Sequence, residues 1–123
     1  MQADVEKQLP LEACGLVGGK DGRSEVVIPV ANALASPVRF RMDPMEQLAA
    51  LQQIEDQGWE LLAIYHSHPS GPDSPSATDV AEAAYPEAVN IIWYRENGAW
   101  RCRGFLIDQD RVEEIRFYIT NKE

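Results

Sequence analysis

Two histidines with a single residue between them, His66 and His68, stand at the end of an apolar run, Leu61-Leu62-Ala63-Ile64-Tyr65. Residues two apart in an extended strand point to the same face, so both imidazoles can be directed at one point while Ser67 turns away. Asp79 follows His68 by eleven residues, across a loop rich in proline and glycine. It falls in the first turn of a helix, from which its carboxylate can swing back toward the same point. Two imidazoles and a carboxylate suit a catalytic zinc ion, because three protein ligands leave a fourth tetrahedral position for water. Asp73 of the same loop is a reserve ligand, although a carboxylate there also fits a turn former.

Each of these residues has a purely structural reading as well. Ser76-Ala77-Thr78-Asp79 fits a helix capping box, which needs no metal. The histidine pair alone fits ordinary core or surface imidazoles as readily as a metal site. Glu12 could be a plain surface carboxylate near a strand end, and Cys14 fits a small buried apolar residue better than a reactive thiol.

The elements that must place these groups follow from pattern. Val5 and Leu9 share one side of a short N-terminal helix ended by Pro10, and Leu11 to Gly18 reads as a buried strand with Glu12 at its beginning. A turn at Lys20-Asp21-Gly22 leads into Glu25 to Val30, a β-branched run suited to a hairpin partner. Val38 to Met42 alternates as a further short strand. Asp43-Pro44 then caps and opens a helix that runs to about Gln57, with Gly58 at its C-terminal end. Met45, Leu48, Leu51 and Ile54 are its expected core face. The Leu61 to Tyr65 run suits a central strand that delivers the chain into the histidines. Ser70 to Pro75 must be a loop, and a helix restarts at Ser76. Three more strands are expected around Val89 to Tyr94, Trp100 to Ile107 and Val112 to Ile119. The expectation is α/β: a single mixed β-sheet with packed helices, in one domain over residues 1–123.

Composition narrows the function classes. A chain of 123 residues with 45% hydrophobic content can bury one ordinary core. Eleven Lys plus Arg against 20 Asp plus Glu give a formal charge of −9, which repels a phosphate backbone, so nucleic acid is not an expected partner. Neither a signal-peptide pattern nor a membrane-length apolar run occurs, which gives a soluble cytoplasmic protein with no membrane partner as the expectation. The two cysteines, Cys14 and Cys102, form no Cys-x-x-Cys pair and indicate reduced thiols.

Other catalytic signatures are absent: the His-Glu-x-x-His helix, the Pro-Cys-x-x-Cys of zinc deaminases, the Gly-x-Ser-x-Gly elbow, and the Gly-x-Gly-x-x-Gly spacing of a dinucleotide loop. What is present resembles the JAMM metallopeptidases, or MPN-plus domains. These carry an upstream glutamate, then His-x-His-Pro, a serine eight residues after the second histidine and an aspartate three beyond it. Glu12, His66, Ser67, His68, Pro69, Ser76 and Asp79 stand in that pattern without a gap. Pro10-x-Glu12-x-Cys14-Gly15-Leu16 matches the short prokaryotic members, and Phe40 with Asp43-Pro44 precedes the first long helix as in the family. The resemblance covers roughly Val5 to Ile107.

The resemblance implies a cytidine-deaminase-like (JAMM/MPN) sheet. His66, His68 and Asp79 would bind zinc, Glu12 would act as acid and base, and Ser76 would stabilise the oxyanion. It implies hydrolysis of the amide or isopeptide bond after the C-terminal glycine of a ubiquitin-like or sulfur-carrier protein, by a free-standing prokaryotic enzyme. The alternatives are a catalytically silent MPN-like scaffold that binds a ubiquitin-like partner, and a small-molecule zinc amidohydrolase or deaminase.

Overall fold

The computed structural model describes residues 1–119. A six-residue helix, α1 (Gln2–Lys7), buries Val5 completely and ends before Pro10. Strand β1 (Cys14–Lys20) turns through Asp21 and Gly22 into β2 (Arg23–Val30). Both turn residues have positive φ, 55° and 76°, as a two-residue hairpin turn compatible with strand twist requires.

Glu12 lies just before β1 rather than at its beginning. Its N–H donates to the Ser36 carbonyl at 2.8 Å, and the Ala13 N–H donates to Ser67 Oγ at 2.8 Å, so this backbone is satisfied outside the strand ladder. The expected strand at Val38 to Met42 is likewise reduced to one isolated bridge, Asn32 to Met42. The Asn32 side chain takes a strand's place: its Oδ1 accepts from Leu34 and Arg41 N–H, and its Nδ2 donates to the Glu12 and Arg39 carbonyls.

Helix α2 (Pro44–Asp56) starts as expected, with the Asp43 carboxylate accepting from the N–H groups of Met45 and Glu46 at 3.0 Å. Its buried face is different. Ala50 and Ile54 are buried and Leu51 is half-buried, while Met45 and Leu48 stand 74% and 61% exposed. Steps of three residues fall short of a 3.6-residue turn by about 60° each, so Met45 and Ile54 point to opposite sides of the helix. Residues four apart, Ala50 and Ile54, make the contact with the sheet, and Gly18 leaves room for the Ile54 side chain.

Strand β3 (Glu60–His68) is followed by α3 (Ala77–Glu82) and strands β4 (Val89–Glu96), β5 (Ala99–Asp108) and β6 (Arg111–Ile115). The sheet order is β2-β1-β3-β4-β5-β6, with β3 and β4 parallel and all other neighbours antiparallel. This is the single mixed α/β sheet the sequence calls for, and β3 is central. The last strand ends at Ile115 instead of Ile119. Phe117 folds across Gly104 and packs on the sheet, leaving the edge. No helix among the described residues is long and apolar enough to cross a membrane.

Alternation along β3 divides the core. Ala63 and Tyr65 face a cluster with Val5, Val17, Ile91 and Trp93, whereas Ile64 faces Leu16, Ala50 and Ile54 beneath α2. His66 and His68 continue the α2 side. The Tyr65 ring passes over Gly15, and its hydroxyl donates to Asp4 at 2.7 Å. A Cβ on Gly15 would meet that ring at 2.3–2.4 Å. Gly15→Ala should therefore destabilise the protein by about 1–3 kcal/mol through overpacking, read as a lowered urea midpoint at unchanged m-value.

Candidate active site

At the C-terminal end of β3 the expected residues meet. His66 Nε2 and His68 Nε2 are 3.0 Å apart, and Asp79 Oδ2 lies 3.1 Å from each. Both histidines are 3% exposed. The orientation of His68 is fixed from behind: its Nδ1 is 2.7 Å from the Pro72 carbonyl, which can only accept. Nδ1 therefore carries the proton, and the lone pair of the neutral ring lies on Nε2, facing the other two atoms. Phe40 stacks on His66 with ring centroids 4.5 Å apart.

Asp79 fulfils both of its readings at once. Ser76 caps α3 by accepting from the Asp79 N–H at 3.0 Å, while the Ser76 N–H donates to Asp79 Oδ2 at 2.9 Å. The capping box thus aims the same oxygen that faces the imidazoles. Burial alone would raise the Asp79 carboxyl, but the two imidazoles, when they carry a proton toward it, and the Ser76 amide hold it well below the ordinary carboxylate range. Burial pushes His66 below its usual value, toward the neutral ring that metal coordination needs.

Glu12 completes the cluster. It is 4% exposed, its Oε1 has no hydrogen-bond partner, and it offers an oxygen such that Glu12, His66 and His68 ligand atoms all lie within 4.8 Å of one another. Burial drives its carboxyl up from 4.5 to about 7, with Asp79 adding to the rise and His68 opposing it. Either carboxylate could join the histidines on a metal ion, but the 3.1 Å separations favour Asp79 and leave Glu12 facing the centre without a partner.

These residues fit a metal. A tetrahedral ion bound at about 2.0–2.1 Å keeps its ligand atoms about 3.3 Å apart, close to the observed triangle. Three electron-rich atoms this close, beside an unpartnered buried carboxylate, are costly without a cation between them. Asp73 does not join them: its carboxylate is 3.0 Å from the Arg103 guanidinium. Ser67 turns away, as alternation requires. Cys14 is buried, its thiol donates to the Val30 carbonyl at 3.3 Å, and burial first, with nearby carboxylates, pushes it up to about 12. It is the inert apolar residue of the simpler reading.

Two features of the site have no counterpart in the sequence pattern, the Pro72 carbonyl and the Asn32 amide that carries Glu12's backbone, while Phe40 stands in the pattern without its stacking role. Asn32, polar between two apolar residues in an irregular stretch, is the one with a usable signal. Beside His66 and Asp79 opens a cavity of about 360 Å³, lined among others by Phe40, Met42, Gln47, Tyr85 and Asn90.

A mixed α/β sheet with a histidine pair ending a central strand and a carboxylate opening the next helix defines a candidate metal-dependent hydrolase. Residues 1–103 match the family of prokaryotic homologs of the JAB domain, and the chain belongs to that family. It is 32% identical over 111 residues to the desampylase of Pyrococcus furiosus, covering 89% of this chain and 76% of that protein. It is 42% identical over 109 residues to a probable TtuB-protein conjugate cleaving protease of Thermus thermophilus, covering 88% and 70%. With the CysO-cysteine peptidase of Mycobacterium tuberculosis it shares 41% identity over 94 residues, covering 75% and 64%. The solution structure of a Desulfitobacterium hafniense protein superposes with a TM-score of 0.83 at 39% identity, covering 98% of this chain and 86% of that one.

Proposed function

We propose that this protein is a zinc-dependent peptidase that hydrolyses the amide or isopeptide bond after the C-terminal glycine of a ubiquitin-like or sulfur-carrier protein. The observation that carries this reading is the convergence of His66, His68 and Asp79 beside the unpartnered Glu12, in a chain whose relatives are named for cleaving such conjugates. Two imidazoles and a carboxylate are a donor set suited to zinc. Zinc, when bound, lowers the pKa of a coordinated water to about 7 and polarises the scissile carbonyl.

The chain's own residues handle the protons and the substrate. Glu12, with a carboxyl raised to about 7, takes the proton of the attacking water and returns it to the departing amine. The Ser76 hydroxyl accepts from the Asp79 N–H through a lone pair and keeps its hydrogen to donate to the developing oxyanion. The cavity beside His66 receives the tail. Residues 39 to 43 are bonded along one side, through Arg39, Arg41 and Asp43, to residues 31 to 33. In extended backbone the N–H and C=O groups of Phe40 and Met42 then point the other way, toward the cavity these residues line, and offer an edge to a thin extended tail.

The test is to incubate the protein with Gly-ended β-grasp carriers fused to a peptide, linked to lysine or bearing a C-terminal cysteine, and to read the products by intact mass. Cleavage should fall after the terminal glycine, stop with a chelator and resume with zinc. Equal hydrolysis of unrelated peptides would refute the specificity, and cleavage indifferent to chelation would refute the metal.

A further inference from the structure

The contact that turns Nε2 of His68 toward Asp79 is made by a main-chain carbonyl, that of Pro72. Pro72 sits in a loop, Ser70-Gly71-Pro72-Asp73-Ser74-Pro75, outside the strand ladders. It is gripped from the far side of the sheet's site end. Arg103 of β5 lies 3.0 Å from the carboxylate of the next residue, Asp73, and also donates to the Asp73 carbonyl at 3.4 Å. Arg103 is in turn fixed by two bonds to Glu114 of β6, at 2.9 and 2.7 Å, and its guanidinium lies over the Phe105 ring at 5.2 Å. A connected run therefore leads from the edge strand to the imidazole: Glu114, Arg103, Asp73, Pro72, His68.

We propose that Arg103 is a positioning residue of the metal centre: by clamping Asp73 it holds the Pro72 carbonyl on His68 Nδ1, and so presents Nε2 to the ion. This rests on the reading of His66, His68 and Asp79 as metal ligands. The planar fork of arginine is what the geometry uses, because it serves two carboxylates and a carbonyl at once. The side chains of Arg103, Asp73 and Glu114 are 30%, 51% and 49% exposed. Ion pairs this accessible add little to global stability. Their effect falls on the placement of the loop.

The experiment compares the full chain with Arg103→Gln, Arg103→Lys, Asp73→Ala and the double variant Arg103→Gln/Asp73→Ala. Zinc affinity is measured by competition with a chromophoric chelator, and solvent exchange of the His68 Nδ1 proton by NMR. Arg103→Gln should bind zinc about tenfold more weakly, the low end for loss of a group that orients a ligand. Its His68 ring proton should exchange faster, with an unchanged far-UV spectrum. Arg103→Lys should fall between, and the double variant should be no worse than Arg103→Gln alone, since both changes break one chain of contacts. Asp73→Ala, on an exposed loop, keeps the test open if an arginine variant folds poorly. Wild-type zinc affinity and wild-type ring-proton exchange in both Arg103→Gln and Asp73→Ala would overturn the proposal. If the wild-type chain takes up no zinc, the ligand reading fails by itself, and ring-proton exchange in the metal-free series still decides the role of Arg103.

Discussion

Glu12→Gln is expected to lower turnover by about 10²–10⁴-fold, the usual contribution of a positioned proton carrier, while zinc content remains at the wild-type level. Glutamine keeps the volume and one carbonyl oxygen but cannot accept a proton at neutral pH. The fold should not suffer. Glu12 is 4% exposed with an unpartnered Oε1, and a neutral amide is cheaper to bury than a carboxylate. Urea unfolding of the metal-free proteins adds a pH test with a definite sign. The Glu12 carboxyl is raised from 4.5 to about 7 in the folded state by burial, so between those values the native state holds more protons than the unfolded one. Its contribution is present in full below pH 4.5 and is lost as pH rises through about 7. Wild-type stability should therefore fall across that window relative to Glu12→Gln. Undiminished turnover in the variant would place the base elsewhere.

Replacing both His66 and His68 by alanine should abolish metal uptake and reduce hydrolysis more than a thousandfold, since the several kcal/mol supplied by metal catalysis correspond to at least about three powers of ten. With both Nε2 atoms removed, only the carboxylates of Asp79 and Glu12 remain of the four groups described at the centre. Metal analysis of the purified variant is the direct measurement, with circular dichroism confirming the sheet. Added zinc should restore chelator-treated wild type and leave the variant inactive. Full zinc occupancy in the variant would refute the ligand assignment.

How much of this could be read from the sequence depended on the range of the forces involved. The β1–β2 hairpin was legible because Asp21-Gly22 meets a local demand for positive φ. The central strand was legible because a strand paired on both sides reads as an uninterrupted apolar run. Half of the α2 face was misread: Leu51 and Ile54 pack on the core, but three-residue spacing drifts around a helix and leaves Met45 and Leu48 exposed. Val38 to Met42 alternates like a strand, yet it is joined to residues 31 to 33 only by one isolated bridge and the Asn32 side chain, which no periodicity encodes. Within the candidate site, the period of two placed His66 and His68 on one face. The local capping motif and the proposed ligand role of Asp79 turned out to use one oxygen and do not compete. Of the groups that orient the rings, the carbonyl in the Pro72 loop acts through tertiary contact and leaves no pattern in the chain, whereas Phe40, 26 positions before His66, matched the family pattern with no sign of its stacking role.

His66, His68 and Asp79 fall within fourteen consecutive residues, whereas Glu12 stands 54 positions before His66 and reaches the centre only through the pairing of β1 with β3. Gathering the proposed ligands closes one short loop. Bringing in the proposed base closes a long one, which takes more chain entropy and belongs to the later, non-local part of folding. If the first hairpin comes away in a local opening, the three proposed donors can stay together while the proposed proton carrier departs. Occupancy of the centre therefore reports on the β3–α3 segment together with the proposed Arg103 clamp on its loop, and hydrolysis reports on the pairing of β1 as well.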